Sequence, residues 1–169
     1  MNTRTNILVG LSVAVLTLTS AIAAPAYAAG GIQTRSAQRL VLIGKDAKLG
    51  INDNGAPGSS AGDVRTLALT LTTTSGTVVG TVDIVQTLTD EGAVDRAVKT
   101  LVISLPKGTI SGMGVATFAD FSNPASRPND KTEQLAIVGG TGKYRGASGF
   151  IDIEVLPDFG SRWRISLDG

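Results

Sequence analysis

Segments in which apolar and polar residues alternate recur along this chain and are separated by turn residues. In the segment 64–73, Leu67, Leu69 and Leu71 occupy one face of an extended chain, and threonines occupy most of the other face. This period of two is typical of half-buried β-strands, because successive side chains of a strand point to opposite sides. The pattern predicts eight strands, at residues 37–45, 64–73, 77–89, 97–105, 108–121, 131–138, 146–156 and 160–167.

The number of strands and their short connections favour one closed sheet. Pro106-Lys107-Gly108 is typical of a hairpin turn, and no segment has a convincing helical period. Glycines within 108–121 permit the strong bending that a small barrel requires. We therefore predict an all-β fold, a closed antiparallel eight-stranded barrel, with a β-sandwich as the alternative. There is no internal repeat or linker, so residues 29–169 are predicted to form a single domain.

The segment 135–149 combines an apolar strand, a glycine-dense turn and the start of another strand. It reads LAIVGGTGKYRGASG, and its glycines can take positive φ values at little cost. A phosphate-binding loop would need glycine five residues before Gly142 and Ser or Thr after Lys143, but these positions hold Ile137 and Tyr144. The alternating segment that follows offers no helix N-terminus to a phosphate. The turn is predicted to be structural, with Tyr144 bracing it.

The Gly-Gly-Thr-Gly turn, followed by an aromatic residue, a basic residue and Ala-x-Gly, resembles the hallmark of the allene oxide cyclase and dirigent barrel superfamily. The resemblance extends more weakly over residues 37–167. It implies a barrel that encloses a hydrophobic substrate. In dirigent proteins an Arg-Glu pair precedes this turn and the previous strand ends near a functional Asp. This chain has Glu133-Gln134 and, more loosely, Asp120 at those places, and the missing Arg argues against dirigent radical coupling itself.

The first 28 residues are predicted to be a secretory signal peptide. Arg4 supplies a positive start, residues 7–22 are largely apolar, and Ala26-Tyr27-Ala28 is a small-x-small cleavage site. The apolar stretch is short for a membrane span, and no later stretch could serve as one. We expect cleavage after Ala28 and a secreted mature chain without a membrane span.

Charge and residue types limit the chemistry. Without Arg4 the chain has 14 basic and 14 acidic residues and no block of like charge, which argues against nucleic acid as a partner. There is no cysteine and no histidine, so zinc sites, Ser-His-Asp triads and Cys-His pairs are excluded. We expect neither a cofactor nor a metal. Catalysis would depend on carboxylates, Arg, Lys, Tyr144 or ordered water.

Two carboxylates are the predicted catalytic residues. Asp120 ends one predicted strand and Glu133 begins the next, so antiparallel pairing would place both at one end of the barrel. Glu133 shares its strand face with Leu135 and Ile137 and is therefore expected to point inward. Two carboxylates beside an apolar cavity would raise one pKa, leaving one acid and one base. Solvated positions at the rim are the alternative for both residues.

Three further residues are predicted to contact a ligand. Trp163 lies between Arg162 and Arg164, and its indole is the better candidate for the inward face. Phe118 is a candidate for the core or the cavity wall. Arg39, within an apolar strand, could pair with Asp83 inside the barrel or point outward.

These features support three functions. The first is a cofactor-free cyclase or isomerase that acts on a hydrophobic natural product, a polyketide or an oxygenated lipid, by carboxylate acid–base catalysis. The second is a lipocalin-like exported carrier without catalysis, and the third is a non-enzymatic envelope or interaction protein. The expected partner is a small hydrophobic molecule, and the apolar outward faces are consistent with a homodimer or homotrimer.

Overall fold

The computed structural model describes residues 37–156 and 160–168. The predicted signal peptide, residues 1–28, lies outside the described residues. Within the described ranges no helix is long and apolar enough to cross a membrane. A short 3-10 helix, Gly142–Tyr144, lies between the sixth and seventh strands. The strands are β1 (Gln38–Asn52), β2 (Val64–Thr72), β3 (Val78–Asp90), β4 (Asp95–Leu105), β5 (Gly108–Phe118), β6 (Thr132–Gly140), β7 (Gly149–Val155) and β8 (Ser161–Leu167).

Hydrogen bonding between the first and last strands closes the sheet into a barrel. Each strand pairs with its neighbour in sequence in the antiparallel direction. β1 also pairs with β8, in a register that runs from Gln38 opposite Leu167 to Gly44 opposite Ser161. The predicted eight-stranded antiparallel barrel is confirmed, and the β-sandwich alternative is wrong.

β1 and β5 end at residues other than the predicted ones, and β7 begins at Gly149 rather than at residue 146. β1 continues to Asn52, because a bulge between Lys45 and Lys48 keeps it paired with β2. Asp46 in this bulge has a φ of 54°, a left-handed value that aspartate adopts more readily than most residues. Residues 45–52 are all exposed, which is why their polar composition predicts a loop. β5 ends at Phe118 rather than at residue 121.

Inward side chains form an apolar core around the connection between β6 and β7. Leu69 and Leu71 are buried, as the alternation in β2 predicts, and Tyr144 packs into the same cluster. Burial of this much aliphatic surface is the main stabilising contribution to a barrel that has no disulfide. The cluster consists of Leu42, Leu69, Leu71, Val82, Ile84, Leu101, Ile103, Ile110, Leu135, Ile137, Tyr144, Ile151, Ile153, Trp163 and Ile165.

The glycine-dense segment packs against the β4–β5 hairpin. The Thr141 N–H donates to the Thr109 carbonyl oxygen at 2.9 Å, and the Lys143 N–H donates to the Lys107 carbonyl oxygen at 2.8 Å. Gly142 has a φ of 57°, and a Cβ built on it would collide with that same Lys107 carbonyl. The turn is therefore structural, because its glycines let two backbone connections approach each other.

Two glycine substitutions distinguish the stability cost of disturbing this close approach from the cost of backbone strain alone. Gly146 has a φ of 70°, and nothing lies within 4 Å of the position of a Cβ built on it. Gly146→Ala should cost only the left-handed conformation, about 1–2 kcal/mol. Gly142→Ala should cost more, because it adds the collision with Lys107. Urea unfolding midpoints of the two variants test this, and equal midpoints would contradict the close packing.

Candidate functional site

A cavity of about 630 Å³ lies inside the barrel, at the end where β5 and β7 finish and where β2, β6 and β8 begin. This volume is within the usual range for small-molecule sites. It is lined by Lys45, Asp46, Ala47, Leu49, Arg65, Leu67, Leu69, Ile84, Gln86, Lys99, Phe118, Pro124, Ser126, Arg127, Pro128, Glu133, Ile153, Val155, Gly160, Ser161 and Trp163.

The wall of the cavity has a polar side and an apolar side. Gln86 of β3, Lys99 of β4 and Glu133 of β6 contribute buried polar groups to one side. Strands β7, β8 and β2 contribute mainly apolar groups, so a bound molecule would meet both kinds of surface. The apolar lining residues of the barrel wall include Leu67, Leu69, Ile84, Ile153 and Trp163.

Lys99 and Glu133 form an ion pair that is almost fully buried. The Lys99 Nζ lies 2.7 Å from Oε1 and 2.6 Å from Oε2 of Glu133, and each side chain is 5% exposed. Burial lowers the pKa of Lys99 from its ordinary value, while the charge and hydrogen bond of Glu133 act in the opposite direction. Taking two charges out of water is costly, so a pair at this depth marks a candidate functional group.

Lys99 and Glu133 meet across β5, which separates β4 from β6. Lys99 lies opposite Gly114 in the β4–β5 register. A Cβ built on Gly114 would lie 2.9 Å from Cγ of Leu135, so a larger residue at this position would collide with Leu135.

Sequence reasoning found Glu133 but missed Lys99. Glu133, Leu135 and Ile137 are all buried, so the predicted inward orientation of Glu133 is observed. Lys99 shares the inward face of β4 with Leu101 and Ile103. A lysine in a row of inward apolar residues was the signal that could have identified it.

Arg65 of β2 holds the segment that follows β5 beside the cavity. Its guanidinium carbon lies 4.9 Å from the ring centroid of Phe118 and 4.5 Å from that of Phe121, which are cation–π distances. The two rings pack edge to face at 5.2 Å. The guanidinium also donates hydrogen bonds to three carbonyl oxygens of this segment, those of Ser126 at 3.2 Å, Asn123 at 2.6 Å and Asp120 at 3.4 Å.

The structure does not bring Asp120 and Glu133 together as a catalytic pair. Asp120 lies in the segment after β5, where its carboxylate accepts hydrogen bonds from the Ser122 hydroxyl at 2.7 Å and the Ser59 hydroxyl at 3.3 Å. These contacts, led by the Ser122 hydroxyl, hold the pKa of Asp120 below its ordinary value. Asp120 lines a separate depression rather than the cavity. The partner of Glu133 is Lys99, so the expected raised pKa from two neighbouring carboxylates has no basis at Asp120.

The three predicted ligand-contacting residues have different positions. Phe118 and Trp163 are buried and line the cavity. The Trp163 Nε1–H donates to Oγ of Ser161 at 2.7 Å, which satisfies its one polar group. Arg39 is exposed on the outer face of β1, because the inward positions are those of Leu40 and Leu42, so its predicted ligand contact is wrong.

Metal binding would need several ligands close together. Over residues 37–156 and 160–168, no three or more Asp or Glu side chains are grouped so that they could hold a metal ion. The polar side chains that line the cavity carry amine, carboxylate, amide, guanidinium and hydroxyl groups.

Residues 45–166 match the family described as "Allene oxide cyclase barrel like domain". This match covers more than half of the chain. The protein belongs to this family. A search of curated proteins found no significant match to the chain.

Solved structures share the fold of this family member at low sequence identity. A pyocyanin demethylase is 21% identical with a TM-score of 0.64, and the match covers 77% of this chain and 99% of that one. AbnU, described as an exo-specific intermolecular Diels-Alderase, is 21% identical with a TM-score of 0.59, covering 80% and 100%. A pterocarpan synthase dirigent protein is 17% identical with a TM-score of 0.53, covering 78% and 83%. These likenesses show a common barrel.

The buried pair makes a specific prediction about stability. Lys99→Met or Glu133→Leu alone leaves an uncompensated buried charge and should lower the free energy of unfolding by about 3–5 kcal/mol. The double variant Lys99→Met/Glu133→Leu replaces the pair by apolar groups of similar size and should be close to the original protein or more stable. Denaturant unfolding of all four proteins measures this coupling.

The partly exposed pair Arg162–Glu154, at 2.9 Å, provides the matched control. Glu154→Leu should shift the unfolding midpoint much less than Glu133→Leu, because solvent screens exposed charges. Additive losses in the Lys99 and Glu133 variants would show that the two side chains do not interact.

Proposed function

We propose that this barrel is a cofactor-free cyclase or isomerase that acts on a hydrophobic natural product, such as a polyketide or an oxygenated lipid, inside the cavity. The Lys99–Glu133 pair, buried in the wall of a cavity that has both polar and apolar lining residues, is the observation that carries the proposal. The family match and the likeness to a structure named as a Diels-Alderase support it. Apolar replacements of buried ion pairs are often neutral for stability, so stability is a weak reason for a protein to keep such a pair.

The pair offers two complementary chemical roles. An ammonium group has three N–H bonds, and Glu133 can accept at most two of those of Lys99. The third is available to an epoxide or carbonyl oxygen of the substrate, where it stabilises the negative charge that develops during the reaction. The Glu133 carboxylate removes a proton from a neighbouring carbon or hydroxyl and returns it after the new bond forms. The substrate keeps all of its atoms, and no oxidant is needed.

The apolar side of the cavity is proposed to hold the substrate in a folded conformation and to exclude water from it. Trp163, Ile153 and Leu69 form a surface against which a flexible substrate can fold with its reacting ends close together. Exclusion of water also strengthens the interaction between the substrate oxygen and the Lys99 ammonium.

A lipocalin-like carrier is the second candidate function. The observation in its favour is that Glu133 already neutralises Lys99, so the cavity can hold an apolar ligand without any reaction. The predicted export of the chain also fits a carrier. The two functions differ in one measurable respect, since a carrier returns its ligand unchanged.

Isomer formation tests the enzyme proposal. Incubation of the purified protein with extracts of its host should convert one metabolite into an isomer of identical mass and different retention time. Glu133→Gln removes the carboxylate that accepts and returns the proton and should lower this conversion, per folded protein, by about 10²–10⁴-fold. Liquid chromatography with mass spectrometry measures both quantities.

Glu154→Gln is the control for the same substitution, because Glu154 contacts Arg162 and Arg164 and does not line the cavity. It should change the conversion less than a few-fold. An unchanged rate in Glu133→Gln would remove acid–base catalysis by this residue. A large loss of isomer formation in Asp120→Asn would instead show that Asp120 takes part in catalysis with Glu133.

We also propose that the chain is exported with cleavage after Ala28. Mass spectrometry of protein from the culture fluid of the native host should find a chain that begins at Ala29. Recovery of only the full-length protein from the cytoplasm would contradict export.

A further inference from the structure

Gln86 is a buried amide that the chemistry proposed above does not use. Its residue is 4% exposed, and it lies on the wall of the cavity. Among residues 37–156 and 160–168, no protein group forms a hydrogen bond with its side chain, and the one sealed polar side-chain atom without a partner belongs to Arg65. The amide of Gln86 therefore opens into the cavity. A side-chain amide that opens into a cavity without a protein partner can bond to a molecule held there.

The position of Gln86 is set by the register of two strands. Gln86 of β3 lies directly opposite Lys99 of β4. Directly opposed residues have Cβ atoms about 5 Å apart and point to the same face of the sheet. Gln86 and Lys99 therefore lie side by side on the cavity wall, and the Lys99 Nζ is directed across β5 to Glu133.

The apolar residues of the cavity wall indicate which kind of ligand surface would pack against them. In the β6–β7–β8–β1 register, Glu133 lies opposite Ile153, Ile153 opposite Trp163, and Trp163 opposite Leu42. A molecule in the cavity thus meets two neighbouring donors on one side and a branched and aromatic surface on the other.

We infer that Gln86 is a specificity-determining residue, which, together with Lys99, binds a carbonyl oxygen of an otherwise apolar, ring-containing ligand. The inference rests on the proposed function and adds to it the orientation of the substrate. The carbonyl is held by the amide N–H of Gln86 and the ammonium of Lys99, and the ring system packs against Trp163. A ligand without the oxygen leaves both donors unpaired.

Two probes of nearly the same shape test whether the protein recognises the carbonyl oxygen of a ligand. 2-Acetylnaphthalene has a ketone where 2-isopropenylnaphthalene has a methylene group of nearly the same shape. Isothermal titration calorimetry should show that the original protein prefers the ketone. In Gln86→Met this preference should fall by about three- to tenfold, the value of one net hydrogen bond, while Lys99 keeps its share and the affinity for the alkene is retained or increased.

Two further variants make the result specific. Gln134→Met has the same substitution at an exposed glutamine that bonds Asp152, and it should keep the preference for the ketone. Gln86→Glu retains the length of the side chain but removes its N–H donors and should lower the preference as well. It provides the same test if Gln86→Met does not fold.

Each outcome decides the inference. An unchanged preference in Gln86→Met, or an equal loss of affinity for both probes, would overturn it, and either result leaves the proposed role of Lys99 and Glu133 intact. Failure of the original protein to bind either probe would overturn it as well, and would also count against a cavity for hydrophobic substrates. Loss of activity in Glu133→Gln together with an unchanged ketone preference in Gln86→Met would separate catalysis from this recognition.

Discussion

Pairing between β1 and β8 is the constraint on which the rest of the structure depends. Seven residue pairs, from Gln38–Leu167 to Gly44–Ser161, join the two ends of the described chain and leave the sheet without an edge. Because the sheet closes into a barrel, one face of every strand points into the barrel interior. Closure also forces Lys99, Glu133 and Trp163, from distant parts of the sequence, to share one enclosed space.

Within that space the apolar core around Tyr144 occupies one end of the barrel and the cavity lies at the other. The Lys99–Glu133 pair lines the cavity, and each of its side chains is 5% exposed. A buried charge pair interacts more strongly with a ligand dipole than an exposed pair does, because water and mobile ions screen it less. The same geometry therefore links the architecture of the barrel to its proposed chemistry.

The loop after β5 shows how a distant residue shapes this site. Arg65 bonds three carbonyl oxygens of the loop and stacks on Phe118 and Phe121, so a residue of β2 orders a segment that follows β5. The sequence shows Arg65 only as one cation in an alternating strand. The position of Asp120 near the end of a predicted strand indicates a catalytic role beside Glu133. In the structure its carboxylate accepts hydrogen bonds from Ser122 and Ser59 instead.

Local patterns in the sequence determined the eight strands, the closed barrel and the inward orientation of Glu133, because alternation and turn residues act over neighbouring positions. They missed the extension of β1 to Asn52, since the bulge at Asp46 keeps exposed polar residues paired. Only the tertiary structure decided that Lys99 is the partner of Glu133, that Gln86 stands beside Lys99, and that Arg39 faces outward. These contacts depend on strand register, which arises from pairing between strands rather than from any one segment.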